Sequence, residues 1–182
     1  MYNQKMIIGL TGKKFHGKDT VAGIILEHDS TYTLLSFAEP IKQALSIIHV
    51  IPKEYFDDPN KKEKPLSEWN NRTPRSLAQW LGTDIYRDQF DQDVWLRNMK
   101  LRIGDLKNVI ITDIRFDNEA NFIKELGGII IKVDASVRKN KSDNHISENG
   151  IDEKLVDIIV DNNGSFEDLN KSLKKTLCYL LQ

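Results

Sequence analysis

The sequence has a single cysteine, Cys178, among its 182 residues. One thiol cannot close an internal disulfide or supply a cysteine-based metal cage. A reducing compartment is therefore expected, with Cys178 as a packing thiol rather than a nucleophile. Long apolar runs are lacking as well. No stretch approaches the ~20 apolar residues that cross a bilayer. After the polar start Met1 to Lys5, the run Met6-Ile7-Ile8 is too short for the core of a secretion signal. A cytoplasmic location without a membrane partner is expected. Charge of one sign is not in excess, with 26 Lys and Arg against 27 Asp and Glu and a formal net charge of −1. Without a global basic field, a nucleic acid polymer is not an expected partner. Small anions stay open as ligands, because a pocket can be basic on a neutral protein. Internal repeats and low-complexity segments are missing too.

What is present suits one globular domain over residues 1–182. Apolar residues make up 40% and charged residues 29% of the chain, enough for a real core. Short β-branched runs alternate with helical patterns. The runs are Met6 to Leu10, Tyr32 to Leu35, Val109 to Ile111, Ile129 to Val133, and Ile158 to Val160. Continuous apolar runs of this kind suit parallel strands buried on both faces. The expected fold class is α/β with a five-stranded parallel sheet. Four stripes carry the 3.6-residue period: Val21, Ile24 and Ile25; Ile41, Ala44, Leu45 and Ile48; Phe116, Ala120, Ile123 and Leu126; and Phe166 through Leu180. Ser165 with Asp168 resembles a capping box, and Thr73-Pro74 reads as an N-cap followed by Pro at the first helical position. Residues 37–105 show no convincing strand and form a helical insertion. Asp57 to Lys64 and residues 134–150 are polar, aperiodic and expected to be mobile loops.

The segment Gly12-Lys13-Lys14-Phe15-His16-Gly17-Lys18 matches G-x-x-x-x-G-K. It follows the first strand and opens the first helix, the context that the pattern needs. Its backbone amides, with the helix N-terminus, make a cradle for phosphate. Lys18 reaches the outer phosphates as a point charge. A Ser or Thr usually follows as a Mg²⁺ ligand; here Asp19 and then Thr20 follow. Either is expected to act through Mg²⁺, directly or by way of water. Asp19 alternatively serves only the helix N-terminus electrostatically. The His16 side chain is expected to point out of the turn.

Ligands in open parallel sheets sit beyond the carboxyl ends of the strands. After the third strand, Asp113 is placed to hold Mg²⁺ or its water, and Arg115 to face an anionic substrate. A structural ion pair with Glu119 is the alternative. After the second strand, Ser36, Phe37 and Lys42 offer an acceptor site, Lys42 pairing with phosphate and Phe37 either stacking on a base or packing in the core. Arg75 and Gln79 share a helix face in the insertion, and Arg87 and Trp95 follow. A guanidinium suits a monophosphate because it binds two oxygens at once. Arg72 reads as a solvated surface group. Arg138, Lys139 and Lys141 supply cations that close over the γ-phosphate during transfer. The tetrad Asn140-Lys141-Ser142-Asp143 spells a guanine-recognition pattern. The Asp113-Ile114-Arg115-Phe116 run lacks the glycine that a GTPase carries after its third strand.

Together these segments resemble the bacteriophage-type deoxynucleoside monophosphate kinases, within the P-loop nucleoside monophosphate kinase group. The most specific are Gly12 to Thr20, Ser36 to Lys42, Thr73 to Arg87 with Gln79-Trp80-Leu81-Gly82-Thr83, Asp113 to Ala120, His145-Ile146-Ser147-Glu148, and Asn162-Asn163-Gly164-Ser165. The resemblance implies a three-layer α/β/α P-loop kinase fold, with residues 37–105 binding the acceptor and residues 134–150 as a lid. It implies Mg²⁺-dependent transfer from ATP to a dNMP in a cytoplasm, that of the host if the source is viral. It further implies an adenine-side contact at Asn162 to Gly164, with Thr83 and Glu119 among the acceptor residues. Homodimers are usual in such proteins; nothing in this sequence shows one. Kinases acting on dephospho-coenzyme A or phosphomevalonate share such a basic pocket, and a nucleotide-binding regulator is the alternative of a different class.

Overall fold

The computed structural model describes residues 5–137 and 145–180, except for the side chains at 148 and 178–180. The β-branched runs become five strands. They are β1 (Met6–Thr11), β2 (Thr33–Leu35), β3 (Asn108–Ile114), β4 (Ile129–Asp134) and β5 (Ile158–Asp161). All neighbours pair in parallel, in the order β2-β3-β1-β4-β5. The inner strands match the expectation of burial on both faces, with Ile7, Ile8, Leu10, Val109, Ile110, Ile111, Ile130, Ile131 and Val133 almost fully excluded from water. The edge strands do not. Leu34 is 45% and Ile159 is 61% exposed; α7 packs on β5 through the side of Ile158 and Val160, and Ile159 between them points to the opposite face.

On one face, α1 (Lys18–His28) and α7 (Phe166–Leu180) bring Val21, Ile24, Ile25, Leu169, Leu173 and Leu177 onto Ile8, Leu10, Ile110, Ile131 and Val133. Each such buried side chain contributes about 1.5–3 kcal/mol relative to exposure. On the other face, α6 (Asp117–Glu125) packs against β1 and β4 through Ala120 and Ile123. The result is the expected three-layer α/β/α arrangement. The last stripe begins later than its spacing suggests. Phe166 is 53% exposed, since it lies in the first turn and Leu169 is the first residue to reach the core. The Ser165–Asp168 box forms as expected. The Ser165 amide donates to Asp168 Oδ2 at 3.0 Å, and the Asp168 amide donates to Ser165 Oγ at 3.2 Å.

The chain divides into two compact units, residues 1–36 with 102–182, and Phe37–Leu101. The second unit carries α2 (Glu39–His49), the single turn α3 (Glu54–Asp57), α4 (Pro74–Gln79) and the start of α5 (Val94–Ile103). Thr73 caps α4, its hydroxyl accepting from the Ser76 amide at 3.0 Å while Ser76 Oγ accepts from the Thr73 amide at 2.9 Å. After Gln79 the coil widens to π-helical turns over Trp80–Phe90. Ile41, Leu45, Ile51, Phe56 and Leu77 form this unit's core. Ile48, expected in the α2 stripe, is 63% exposed. The helix stops one residue later and Val50 turns left-handed with φ 53°, so the buried stripe of α2 ends at Leu45 and the chain returns to the core at Ile51. Asp57 to Lys64 is ordered into turns rather than being a loose loop. Lys61 and Lys62 amides donate to the Asp58 carbonyl, and the Arg75 amide donates to the Lys62 carbonyl at 3.1 Å.

Candidate active site

The sheet positions the phosphate turn. The pairing of β1 with β3 shifts register between Gly9 and Thr11. The Thr11 hydroxyl then donates to the Ile114 carbonyl at 3.0 Å, a buried bond. This latch holds the carboxyl ends of the two strands together, which brings the start of the turn and the Asp113 to Arg115 segment to one edge. Asp113 lies within β3, which runs three residues past the expected Ile111.

Two glycines are required here by geometry. Gly12 has φ 138°, and a Cβ on it would sit 2.5 Å from the Val133 carbonyl oxygen. Gly17 has φ 91°, and a Cβ there would sit 2.4 Å from Asn162 Nδ2. Between them Phe15 also adopts a left-handed φ of 64°, a conformation that costs an L-residue roughly 1–2 kcal/mol. The turn thus stores strain that its surroundings must offset. The His16 amide donates to the Lys13 carbonyl at 3.2 Å, closing the turn. The Lys18 ammonium donates to the carbonyls of Gly12 at 2.7 Å and Lys13 at 3.0 Å. Its charge therefore lies across the turn. α1 starts directly behind, and its first-turn amides have no intrahelical acceptor.

The His16 side chain does not point out of the turn. It is 5% exposed, and Nδ1 lies 3.1 Å from both the Ala135 amide and the Val133 carbonyl. The ring is drawn inward because the end of β4 passes directly beneath. Asn162 is also buried, and its Nδ2 donates to the His16 carbonyl at 2.8 Å. Its own amide donates to the Asp134 carbonyl at 2.7 Å. Asn162 therefore braces the turn from β5. Gly164 follows beside it and is exposed, with Asp168 Oδ2 2.9 Å from where a Cβ would stand.

Glu119, named above for the acceptor, is 3% exposed and accepts from the amides of Arg115 at 2.8 Å and Phe116 at 3.2 Å. That is the work of a helix cap on α6. The Arg115 guanidinium donates through Nη1 to the Ser147 carbonyl at 3.0 Å. Ser147 in turn is buried and bonded to His145 Nδ1 through its hydroxyl at 2.8 Å. A cleft of about 100 Å³ opens here, lined by Thr11, Gly12, Lys13, Arg115, Lys132 and Ser147, among others. Sequence reasoning did not select Lys132, and it named Ser147 only within the His145 to Glu148 segment. The signal was faint: Lys132 interrupts the apolar run of β4, and it ion-pairs with Glu153. Arg138, Lys139, Lys141 and the tetrad from Asn140 to Asp143 lie outside the described residues, as does the side chain of Cys178.

Within the second unit the named residues are close-knit. Lys42 Nζ donates to Asp57 Oδ1 at 2.7 Å. Lys53 joins the same group, 2.8 Å from Glu39 and 3.8 Å from Asp57. The Glu39 carboxylate raises the Lys53 pKa above its usual value. Arg75, its side chain only 15% exposed, pairs through Nε with Glu63 Oε1 at 2.7 Å. Gln79 stands four residues on, and both are partly buried. Trp95 Nε1 donates to the Gly82 carbonyl at 2.8 Å, and Thr83 beside it is buried. Arg87 is partly buried and Phe37 is buried. Arg72 is exposed as expected, its guanidinium 5.3 Å from the Trp80 ring centroid. Ser36, in the first unit, accepts from Arg102 Nη1 through its carbonyl at 2.7 Å.

The family model for deoxynucleotide monophosphate kinase matches residues 53–173. The chain belongs to this family. It is 35% identical over 178 residues to a protein of Acanthamoeba polyphaga mimivirus that carries a provisional assignment to the same family, covering 90% of this chain and 91% of the relative. It is 28% identical over 193 residues to the deoxynucleotide monophosphate kinase of Enterobacteria phage T4, covering 92% of this chain and 76% of that one. Among solved structures, TT1252 from Thermus thermophilus superposes with a TM-score of 0.53 at 21% identity, over 97% of this chain and 98% of that one. That likeness shows the fold. In this family setting the oxygen donors at the turn fit a Mg²⁺ ion. Asp19 and Thr20 are exposed at the head of α1, with the Thr20 hydroxyl oxygen 3.9 Å from the Cβ position of Gly17, and Asp113 is partly buried on β3. Mg²⁺ takes one or two protein oxygens together with substrate phosphates and water, so a dense cluster of acidic ligands is not needed. No helix among the described residues is long and apolar enough to cross a membrane.

Proposed function

We propose that the protein transfers the γ-phosphoryl group of ATP to a deoxynucleoside monophosphate, giving ADP and the diphosphate. One observation carries this reading: in a chain of the deoxynucleotide monophosphate kinase family, a strained backbone turn is braced at the end of β1 with the Lys18 ammonium laid across it. Phosphoryl transfer asks little covalent chemistry of a protein. It asks for positioning and for charge to meet charge. The turn amides hold the triphosphate tail, that of His16 excepted because it closes the turn onto the Lys13 carbonyl, and Lys18 follows the charge toward the outer phosphates. Asp19, Thr20 and Asp113 are the residues to hold Mg²⁺, which would neutralise phosphate charge and orient the transferred group.

The acceptor side rests on Ser36, Phe37, Lys42, Arg75, Gln79, Thr83, Arg87 and Trp95. Arg75 binds the acceptor phosphate in a fork, exchanging Glu63 for it. Ion pairs that reach the surface contribute only about 0–1 kcal/mol, so little is lost when a phosphate, which accepts the same charge-assisted fork, takes the place of the carboxylate. Lys42 makes the same exchange with Asp57. Asn162 to Gly164 stand on the adenine side of the ATP.

The test is a panel of deoxynucleoside and nucleoside monophosphates incubated with the protein, ATP and Mg²⁺. ADP is expected with one or more deoxynucleoside monophosphates. Its absence with every one of them, under conditions where ATP binds, overturns the reading.

A further inference from the structure

We propose that His16 is a positioning residue for the phosphate turn, its Nδ1 accepting the Ala135 amide hydrogen while the ring proton sits on Nε2. This deepens the phosphate-turn reading and rests on it.

A single ring nitrogen faces two groups within hydrogen-bond reach, the Ala135 amide and the Val133 carbonyl, both 3.1 Å away, while the half-buried Asp134 carboxylate stands farther off at 3.8 Å. Only one of them makes a hydrogen bond with a given tautomer. A protonated Nδ1 would donate to Val133 and confront the Ala135 amide hydrogen. Ala135 is fully buried, so that hydrogen would be left without water or any acceptor. A bare Nδ1 accepts it instead, and the Val133 carbonyl loses only one of two lone-pair directions. Buried amide hydrogens are seldom orphaned, and under-used carbonyls are tolerated more often. The bare-Nδ1 arrangement therefore wins.

The consequence reaches the cradle. Residue 16 lies between Phe15 at φ 64° and Gly17 at φ 91°. Its ring is tied to the end of β4, and its carbonyl is tied to Asn162 from β5. Two anchors on one residue fix the peptide planes on either side of it. The plane before it carries the His16 amide, which closes the turn onto the Lys13 carbonyl, and the plane after it carries the Gly17 amide hydrogen, which this reading gives to the phosphates. A site of this kind must hold its donors within about 0.5 Å and 10–20°. With the ring anchor removed, the left-handed pair is free to relax and the amides lose their common focus. The cradle grips the tail before and during transfer alike, so loss of focus raises the KM for ATP more than it lowers kcat.

Two substitutions and one spectrum test this. His16→Leu keeps the bulk and removes the acceptor; His16→Asn offers an oxygen near the place of Nδ1. His16→Leu is expected to raise the KM for ATP about tenfold or more with kcat within about threefold, and His16→Asn to restore most of it. Ala135→Pro deletes the same hydrogen from the other side and is expected to reproduce the KM rise. Nitrogen-15 NMR of the unaltered protein should show His16 Nδ1 bare and Nε2 protonated. An unchanged KM in His16→Leu, assayed well below its melting temperature, overturns the proposal. So does a proton on Nδ1. If His16→Leu does not fold, Ala135→Pro and the spectrum decide. The spectrum needs no turnover, so a wild type that never forms ADP would defeat the kinase reading while leaving the tautomer assignment to stand or fall by itself.

Discussion

The two units of the chain hold their polar groups in contrasting ways. Residues 1–36 with 102–182 place the phosphate turn on buried polar partners: the Thr11 hydroxyl, the His16 ring and the Asn162 amide, all 5% exposed or less. The unit of Phe37–Leu101 keeps its cations in ion pairs that reach the surface, Lys42 with Asp57, Lys53 with Glu39, and Arg75 with Glu63. A backbone cradle cannot be exchanged for anything else and is ready before a ligand arrives. Side-chain ion pairs are readily exchanged, and a ligand phosphate can take the place of the carboxylate. In the proposed reaction the first design suits the triphosphate tail, and the second suits the phosphate of the acceptor.

Lys18→Ala carries the largest expected effect. It removes the one cation aligned by the turn, and kcat should fall by about 10²–10³ with the melting temperature little changed. Near-normal kcat would erase the distinction between the units. Gly17→Ala comes next. The added Cβ meets Asn162 Nδ2 at 2.4 Å and forces a side chain onto φ 91°, so kcat/KM for ATP should drop at least about tenfold, as expected for lost positioning. A silent Gly17→Ala would show that the turn is not rigid. Arg75→Ala should raise the acceptor KM about tenfold, the cost of one charge-assisted bond, and leave the ATP KM unaltered. Glu63→Gln sharpens the same point, because removing the competing carboxylate should lower the acceptor KM by about twofold or threefold. A rise would mean that Glu63 positions Arg75 rather than competing for it.

The smallest effect belongs to Asp168. Its carboxyl lies below the usual value of 3.8, held there by the Ser165 hydroxyl first and the Ser165 amide second. A depressed carboxyl contributes stability above the unfolded range, and the contribution is lost as pH falls through the folded value. Asp168→Ala should therefore lower the melting temperature slightly at neutral pH, and the difference from wild type should shrink as pH falls through the lowered carboxyl range. The group is exposed, so a large change would be unexpected.

Much of this was legible from local patterns. The strand, turn and helix around Gly12 to Lys18 could be placed because glycine spacing and strand context lie within a few residues. The Thr73 and Ser165 caps could be read for the same reason. What escaped was set by distant chain. His16 turns inward because Val133 and Ala135, 117 and 119 residues away, pass beneath it. Glu119 reads as a potential acceptor contact until its carboxylate is seen capping α6. Ile48 and Phe166 fit helical stripes, but each stands where its helix extends past the core. Lys132 carried almost no signal, because its significance comes from the meeting of β4, Arg115 and the segment after residue 144. Exposure at the edge strands could not be read either, since edge and centre positions follow from strand order and not from the composition of a run.

Phosphorus-31 NMR of one mixture tests the central claim most directly: the protein, ATP, Mg²⁺ and a single deoxynucleoside monophosphate in excess. The account predicts that ADP and the deoxynucleoside diphosphate grow in together in equal amounts, with no inorganic phosphate released. ADP appearing with free phosphate and no second diphosphate would contradict it, for the tail would then be passed to water and not to a neighbouring nucleotide.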